Sequence, residues 1–231
     1  MNTLLRDYLA ETPTFEEQPR VTPIREAVQR PVVTPAEALR DVQVHALVRQ
    51  LFFRHGSIPV RHVGFAPVEA STATATLCLE VAKVLAEEGR HDVGLIDAHS
   101  DRVLLQTQLQ IPAPNHAQTT LPIGPRLWMA PRQSWLPDAC GQRIAGEHLS
   151  RLHELTAEFD YSILWCAPVS WLTASIGHAC DGLVLVLTAS KTRRLVAAQI
   201  KDQLSKAQVP LLGTVLAERS FPVPQGLYRS L

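Results

Sequence analysis

Residues 62–97 read HVGFAPVEASTATATLCLEVAKVLAEEGRHDVGLID, and this stretch decides the fold. It opens on a short apolar run, HVGFAP (62–67), and closes on a second, DVGLID (92–97). Between them, residues 73–88 carry apolar side chains at helical spacing, and Gly89 follows, where a left-handed C-cap is cheap. Strand, loop, helix and strand in that order form a parallel βαβ unit. Strands that read as continuous apolar runs are covered on both faces, as in a mostly parallel sheet flanked by helices.

The same alternation continues outward. RLWMAP (126–131), YSILWCAP (161–168), GLVLVLT (182–188) and VPLLGTVLA (209–217) read as further strands, while 145–158 and 193–206 read as helices. Residues 111–126 (IPAPNHAQTTLPIGPR) show no period and read as an irregular loop. The fold class is therefore α/β: a doubly wound, mostly parallel sheet flanked by helices. Upstream, Thr34 offers an N-cap with Pro35 at the first helical position of AEALRDVQVHALVRQLFF, whose apolar stripe runs through Leu39, Val42, Leu47 and Leu51. Residues 1–34 hold Pro13, Pro19, Pro23 and Pro31 and few large apolar side chains, the pattern of a mobile arm. Three parts result: an arm over 1–34, a helix over 35–58 as a candidate oligomerisation element, and the α/β domain over 59–231.

Composition narrows the function. The chain has 231 residues, ample for a sizeable core, and its 22 basic and 22 acidic side chains balance, so nothing favours nucleic acid or an anionic membrane surface. No run approaches the length of a membrane-spanning helix, and the opening residues carry acids and prolines in place of a signal peptide's apolar run. Cys78, Cys140, Cys166 and Cys180 form no CxxC pair and read as reduced packing residues. A cytoplasmic protein without direct membrane insertion is expected.

Ligands of an open parallel sheet bind at the carboxyl ends of its strands, so the first strand-to-helix loop, PVEASTATAT (67–76), is the place to look. A phosphate-cradling loop needs GxxxxGK[ST], with bare backbone to turn amides inward and a lysine to neutralise charge. Here Val68 and Ala73 stand at the glycine positions, Thr74 at the lysine and Ala75 at the hydroxyl, with Glu69 inside the loop and Thr76 one place late. A Cβ at a positive-φ position costs about 1–2 kcal/mol, so the cradle shape itself is disfavoured. Asp97, His99 and Cys166 converge at strand ends and invite a metal or Cys–His reading, against a plain one in which Cys166 fills space and Asp97 bonds the loop. The KTRR run (191–194) opens a helix as a solvated junction or a contact for a partner.

From about residue 44 onward, the segments HVGFAPVEASTATATLCLEVAKVLAEEGRHDVGLIDAHSD, FDYSILWCAP, CDGLVLVLTASKTRRLVAAQIKDQL and VPLLGTVLAERSFPVPQGLYRSL resemble, in order and spacing, the bacterial tyrosine kinases of capsule and exopolysaccharide synthesis. Those belong to the MinD/ParA-like P-loop ATPases. The resemblance implies that Asp97 matches the first acid of the family's D-x-D pair, with His99 in place of the second. It implies that Cys166 replaces the acid that organises magnesium through water, and that Ala217 replaces the asparagine facing adenine. No catalytic residue is then expected, Asp97 being the only family position retained, and no metal site and no cofactor; ATP and Mg²⁺ enter only if the chain is a divergent kinase or ATPase. The implied role is a non-catalytic adaptor or regulator docking on a membrane-anchored polysaccharide chain-length determinant (a co-polymerase), peripheral to the inner membrane through that partner. Self-association or a catalytic paralogue is the further implied partner, although the family's E-x-x-R-x-x-R pattern is incomplete at Glu37, Arg40 and Gln43, or at Gln43, Ala46 and Arg49. A ParA/MinD-like positioning protein is a third reading of the same fold.

Overall fold

The computed structural model describes residues 35–53, 59–99, 105–111, 119–136, 146–189 and 191–218. The arm (1–34) and Thr34 as an N-cap lie outside these residues, as do Cys140 and everything after 218. Seven strands form one sheet: β1 (His62–Pro67), β2 (Val93–Ala98), β3 (Leu121–Gly124), β4 (Leu127–Ala130), β5 (Tyr161–Cys166), β6 (Gly182–Thr188) and β7 (Leu211–Ala217). Their spatial order is β3-β4-β2-β5-β1-β6-β7, and every pairing is parallel except β3 with β4. The α/β reading holds. β1 lies between β5 and β6, so the chain leaves it toward one side of the sheet and later winds to the other; the carboxyl ends of β2, β5 and β1 lie side by side at that crevice.

Helices α1 (Pro35–Phe52), α2 (Thr72–Gly89), α3 (Leu105–Gln108), α4 (Gly146–Ala157), α5 (Trp171–Ala179) and α6 (Arg194–Lys206) flank the sheet. One core layer joins Val44, Val48 and Phe52 of α1 and Cys78, Val81 and Leu85 of α2 to Val63, Phe65, Leu95, Ile163 and Trp165. The second joins Leu152, Ile176 and Leu204 of α4–α6 to Ala66, Ile96, Leu164, Cys166 and Leu185. Neighbouring residues of one strand alternate between layers, which is why the strand runs are mostly apolar. Each fully buried Leu, Ile or Phe adds about 1.5–3 kcal/mol.

Several expectations need correction. The stretch 111–126 is not wholly irregular: β3 lies within it, paired antiparallel to β4. Pro122 interrupts its apolar pattern and is tolerated because β3 is an edge strand. The left-handed residue ending α2 is Arg90 (φ 52°), with Gly89 still helical. Arg126 fixes that end by donating from Nη1 to the Arg90 carbonyl at 2.5 Å. On α1, the buried face runs through Val44, Val48 and Phe52, four residues apart, whereas Val42 is 66% exposed. Helix α5 was not foreseen; Ser170 caps it, its Oγ accepting from the Thr173 amide while Thr173 Oγ1 accepts from the Ser170 amide.

Candidate nucleotide site

At the carboxyl end of β1 the chain passes through residues 68–71 into α2. Val68 is buried and donates its amide to the Val186 carbonyl of β6 at 3.0 Å, which ties the loop's first residue to the sheet. Glu69 faces solvent. Ser71 is the N-cap, its Oγ accepting from the Ala73 amide at 3.2 Å. One of the helix's leading amides is therefore answered by the chain itself.

Thr74, at the lysine position, is completely buried, and its Oγ1 finds no hydrogen-bond partner. Ala75 packs into the core at 1% exposure. Thr76 is exposed; two residues along a helix is a rotation of roughly 200°, so its hydroxyl lies on the side away from Thr74.

Asp97, one residue before the end of β2, is fully buried. Its Oδ1 accepts the His99 amide at 3.1 Å and its Oδ2 the Leu105 amide at 2.8 Å. The Asp97 carbonyl accepts Trp135 Nε1 at 2.8 Å. Burial pushes the carboxyl up to about 6, against the two amide bonds and the Arg132 guanidinium, which favour its charged form. This acid ties the end of β2 to the first residue of α3. His99 is nearly buried and stacks on Trp165, with ring centroids 4.5 Å apart and planes 29° apart.

Cys166 ends β5 beside β2, where Ala98 is its partner in register. Its Sγ is fully buried and makes only a long contact to the Leu164 carbonyl at 3.7 Å. Gly64 of the adjoining strand leaves room for it: a Cβ there would stand 3.2 Å from Sγ. Burial, foremost, raises the thiol well above its ordinary range, and Cys180, Cys78 and Asp97 add to the effect. A protonated, enclosed thiol is neither a nucleophile nor a magnesium ligand. No group of three His, Cys, Asp or Glu side chains among the described residues is placed to hold a metal. The metal and Cys–His readings therefore gain nothing from the geometry, although Asp97, His99 and Cys166 do share one end of the sheet.

Ala217 sits on the edge strand β7, half-buried, its carbonyl accepting the Ala189 amide at 2.9 Å. The nearby KTRR run makes a solvated junction: Lys191 Nζ pairs with Glu218 at 3.4 Å, Arg193 is the N-cap of α6, and Thr192 Oγ1 accepts the Thr188 amide at 3.0 Å.

Trp135, Trp165 and Gln106 complete the site and were not singled out from the sequence. Trp165 Nε1 and Gln106 Oε1, like Thr74 Oγ1, are buried without a partner. The one available signal was weak: Trp165 immediately precedes Cys166 on its strand. Magnesium and a triphosphate call for hard oxygen ligands and a facing cation. The positions that would supply them hold Thr74, Ala75 and Cys166, and the Asp97 carboxylate is bonded to backbone amides. The residues present do not fit that group.

No protein-family model matches the sequence, and no curated protein matches it. Solved structures do. The kinase domain of VpsO is 14% identical with a TM-score of 0.63, over 80% of this chain and 98% of that one. The kinase domain of the Escherichia coli tyrosine kinase ETK is 14% identical with a TM-score of 0.60, over 80% of this chain and 79% of that one. A ParA family ATPase from Chlorobium tepidum is 16% identical with a TM-score of 0.55, over 68% and 73%. At these identities the shared property is the fold, a P-loop NTPase-like sheet common to bacterial tyrosine kinase domains and ParA-type ATPases.

Proposed function

We propose that this chain is a non-catalytic relative of the bacterial tyrosine kinases. In this reading it serves as an adaptor or regulator of exopolysaccharide synthesis or export, docking on a membrane-anchored chain-length determinant. The observation that carries the reading is the state of Asp97. The single acid retained from the kinase pattern is enclosed, with both carboxylate oxygens engaged by the amides of His99 and Leu105. Thr74 in the lysine position and Cys166 in the acid position support it, both fully buried and uncharged. Phosphoryl transfer is mostly positioning and charge neutralisation, and loss of one preorganised donor commonly costs about 10²–10³ in rate. The fold shared with VpsO and ETK supports the pathway assignment together with the C-terminal resemblance around VPLLGTVLAERSFPVPQGLYRSL.

The test is a thermal-shift titration with Mg–ATP. A ligand that binds only the folded form stabilises it by RT ln(1 + [L]/Kd), about 2.7 kcal/mol at a hundredfold excess over Kd. No saturable shift at millimolar Mg–ATP is expected, and a Thr74→Val variant should restore polysaccharide chain length in a deletion strain as well as wild type does. A saturable rise in Tm with Mg–ATP would replace this reading with a divergent ATP-binding kinase or ATPase.

A further inference from the structure

The chain is electrically balanced as a whole, but its charge is unevenly spread. Residues 191–206, from the junction after β6 to the end of α6, hold five basic side chains and a single acid, Asp202. The remainder of the chain is therefore net negative. Lys191 pairs with Glu218 at 3.4 Å. Arg193, Arg194, Lys201 and Lys206 are all exposed and make no ion pair among the described residues.

Helix α6 turns most of its surface outward. Leu204 is its one fully buried residue, while Val196, Ala197 and Ile200 are half-buried. At about 100° per residue, Leu195, nine positions before Leu204, points directly away from the sheet; it is 71% exposed. Arg194, Ala198, Lys201 and Ser205 recur at spacings of four and three and form one outward ridge. Leu195, Asp202 and Lys206 form the ridge beside it.

We infer that this face of α6 lies directly on an anionic phospholipid surface, its free cations among the headgroups and Leu195 directed at the acyl boundary. Charge is the first argument for this occupant. A basic face on an otherwise net-negative chain orients the molecule α6-first toward negative charge, an asymmetry that the overall balance conceals. Shape is the second: the cations sit on convex ridges along one helix, which a flat surface meets together. The leucine at the centre of that face is the third, since lipid accepts an apolar side chain beneath its charged headgroups. The contact is peripheral, as no described helix is long and apolar enough to cross a membrane. It adds direct lipid contact to any docking on a membrane protein, and it does not depend on the nucleotide site.

Flotation of the full chain with phosphatidylcholine vesicles, with and without phosphatidylglycerol, tests it. Binding is expected only with the anionic lipid, and it should vanish at about 1 M salt, where the screening length falls to about 3 Å. Each basic residue at such a surface is worth about fivefold in partitioning. Arg193→Gln combined with Arg194→Gln should therefore weaken binding about twenty-fivefold, and Leu195→Gln should weaken it further. Asp202→Asn, which removes the one acid of the face, should strengthen it about fivefold. All four positions are exposed, so the variants should keep the wild-type Tm. No binding to anionic vesicles would overturn the proposal, as would equal binding to neutral ones. Binding that neither the arginine pair nor Asp202→Asn alters would also overturn it, by placing the contact elsewhere in the chain. Salt-sensitive capture of poly-glutamate without any vesicle binding would assign the face to an acidic protein partner instead.

Discussion

Asp97 should make folding stability fall as pH rises through its titration. Burial raises its pKa from 3.8 to about 6 in the folded chain, while an unfolded chain restores the ordinary value. The folded state therefore holds the proton more tightly. Its contribution is fully present below about pH 4 and is lost as pH climbs through 6. A difference of roughly two pKa units at about 1.4 kcal/mol each puts the loss near 3 kcal/mol, a large share of a typical total of 5–15 kcal/mol. His62 works in the opposite direction: burial lowers its pKa despite Asp181, so it adds stability as pH rises toward 6.5. Comparison with Asp97→Asn removes that contribution. Urea unfolding of both proteins from pH 4.5 to 8 should show wild type losing about 2 kcal/mol relative to the variant, most of it below about pH 6 and levelling off above. A pH-independent difference would refute the burial argument. A difference of opposite slope would mean that the His99 and Leu105 amides outweigh burial and that the carboxylate is comfortably ionised.

Thr74→Val removes a buried hydroxyl that has no partner and keeps the side-chain shape, so it should stabilise the fold by about 1 kcal/mol and raise Tm by about 2–4 °C. A loss of more than 1 kcal/mol in calorimetry would show that the hydroxyl is engaged in solution. Gly94→Ala should cost about 1–3 kcal/mol in urea unfolding, because the new Cβ overlaps the Phe159 ring; unchanged stability would mean that this ring moves freely. Cys78, Cys166 and Cys180 should react with Ellman's reagent at pH 8 only as the chain unfolds, since all three thiols are raised by burial, Cys180 to about 11. Rapid labelling of Cys166 in the native protein would revive it as a candidate nucleophile.

The sheet was legible because its evidence is local. HVGFAP, YSILWC and GLVLVLT each carry apolar residues at several consecutive positions, which a strand covered on both sides tolerates, and α2 and α6 carry their period in consecutive residues. β3 left no such trace, since LPIG is short and contains a proline; it is a strand because β4 lies beside it. Helix α5, running WLTASIGHA, blends polar and apolar residues without a clean stripe, and its start depends on the Ser170–Thr173 cap. Val42 shows the same limit in reverse, an apolar residue on a helical stripe that the packing of α1 turns outward.

The sequence by itself determined the order of β1, β2, β4, β5, β6 and β7 with α1, α2, α4 and α6, and the absence of lysine, glycine and acid from Val68, Ala73, Thr74 and Cys166, because side-chain identity and periodicity are written along the chain. Only the tertiary structure decided what the surviving acid does. Whether Asp97 meets solvent or backbone depends on where Leu105, eight residues onward, and Trp135, far downstream, come to rest. Burial and hydrogen-bond partners are set by groups distant in sequence, and those meet only once the chain has folded.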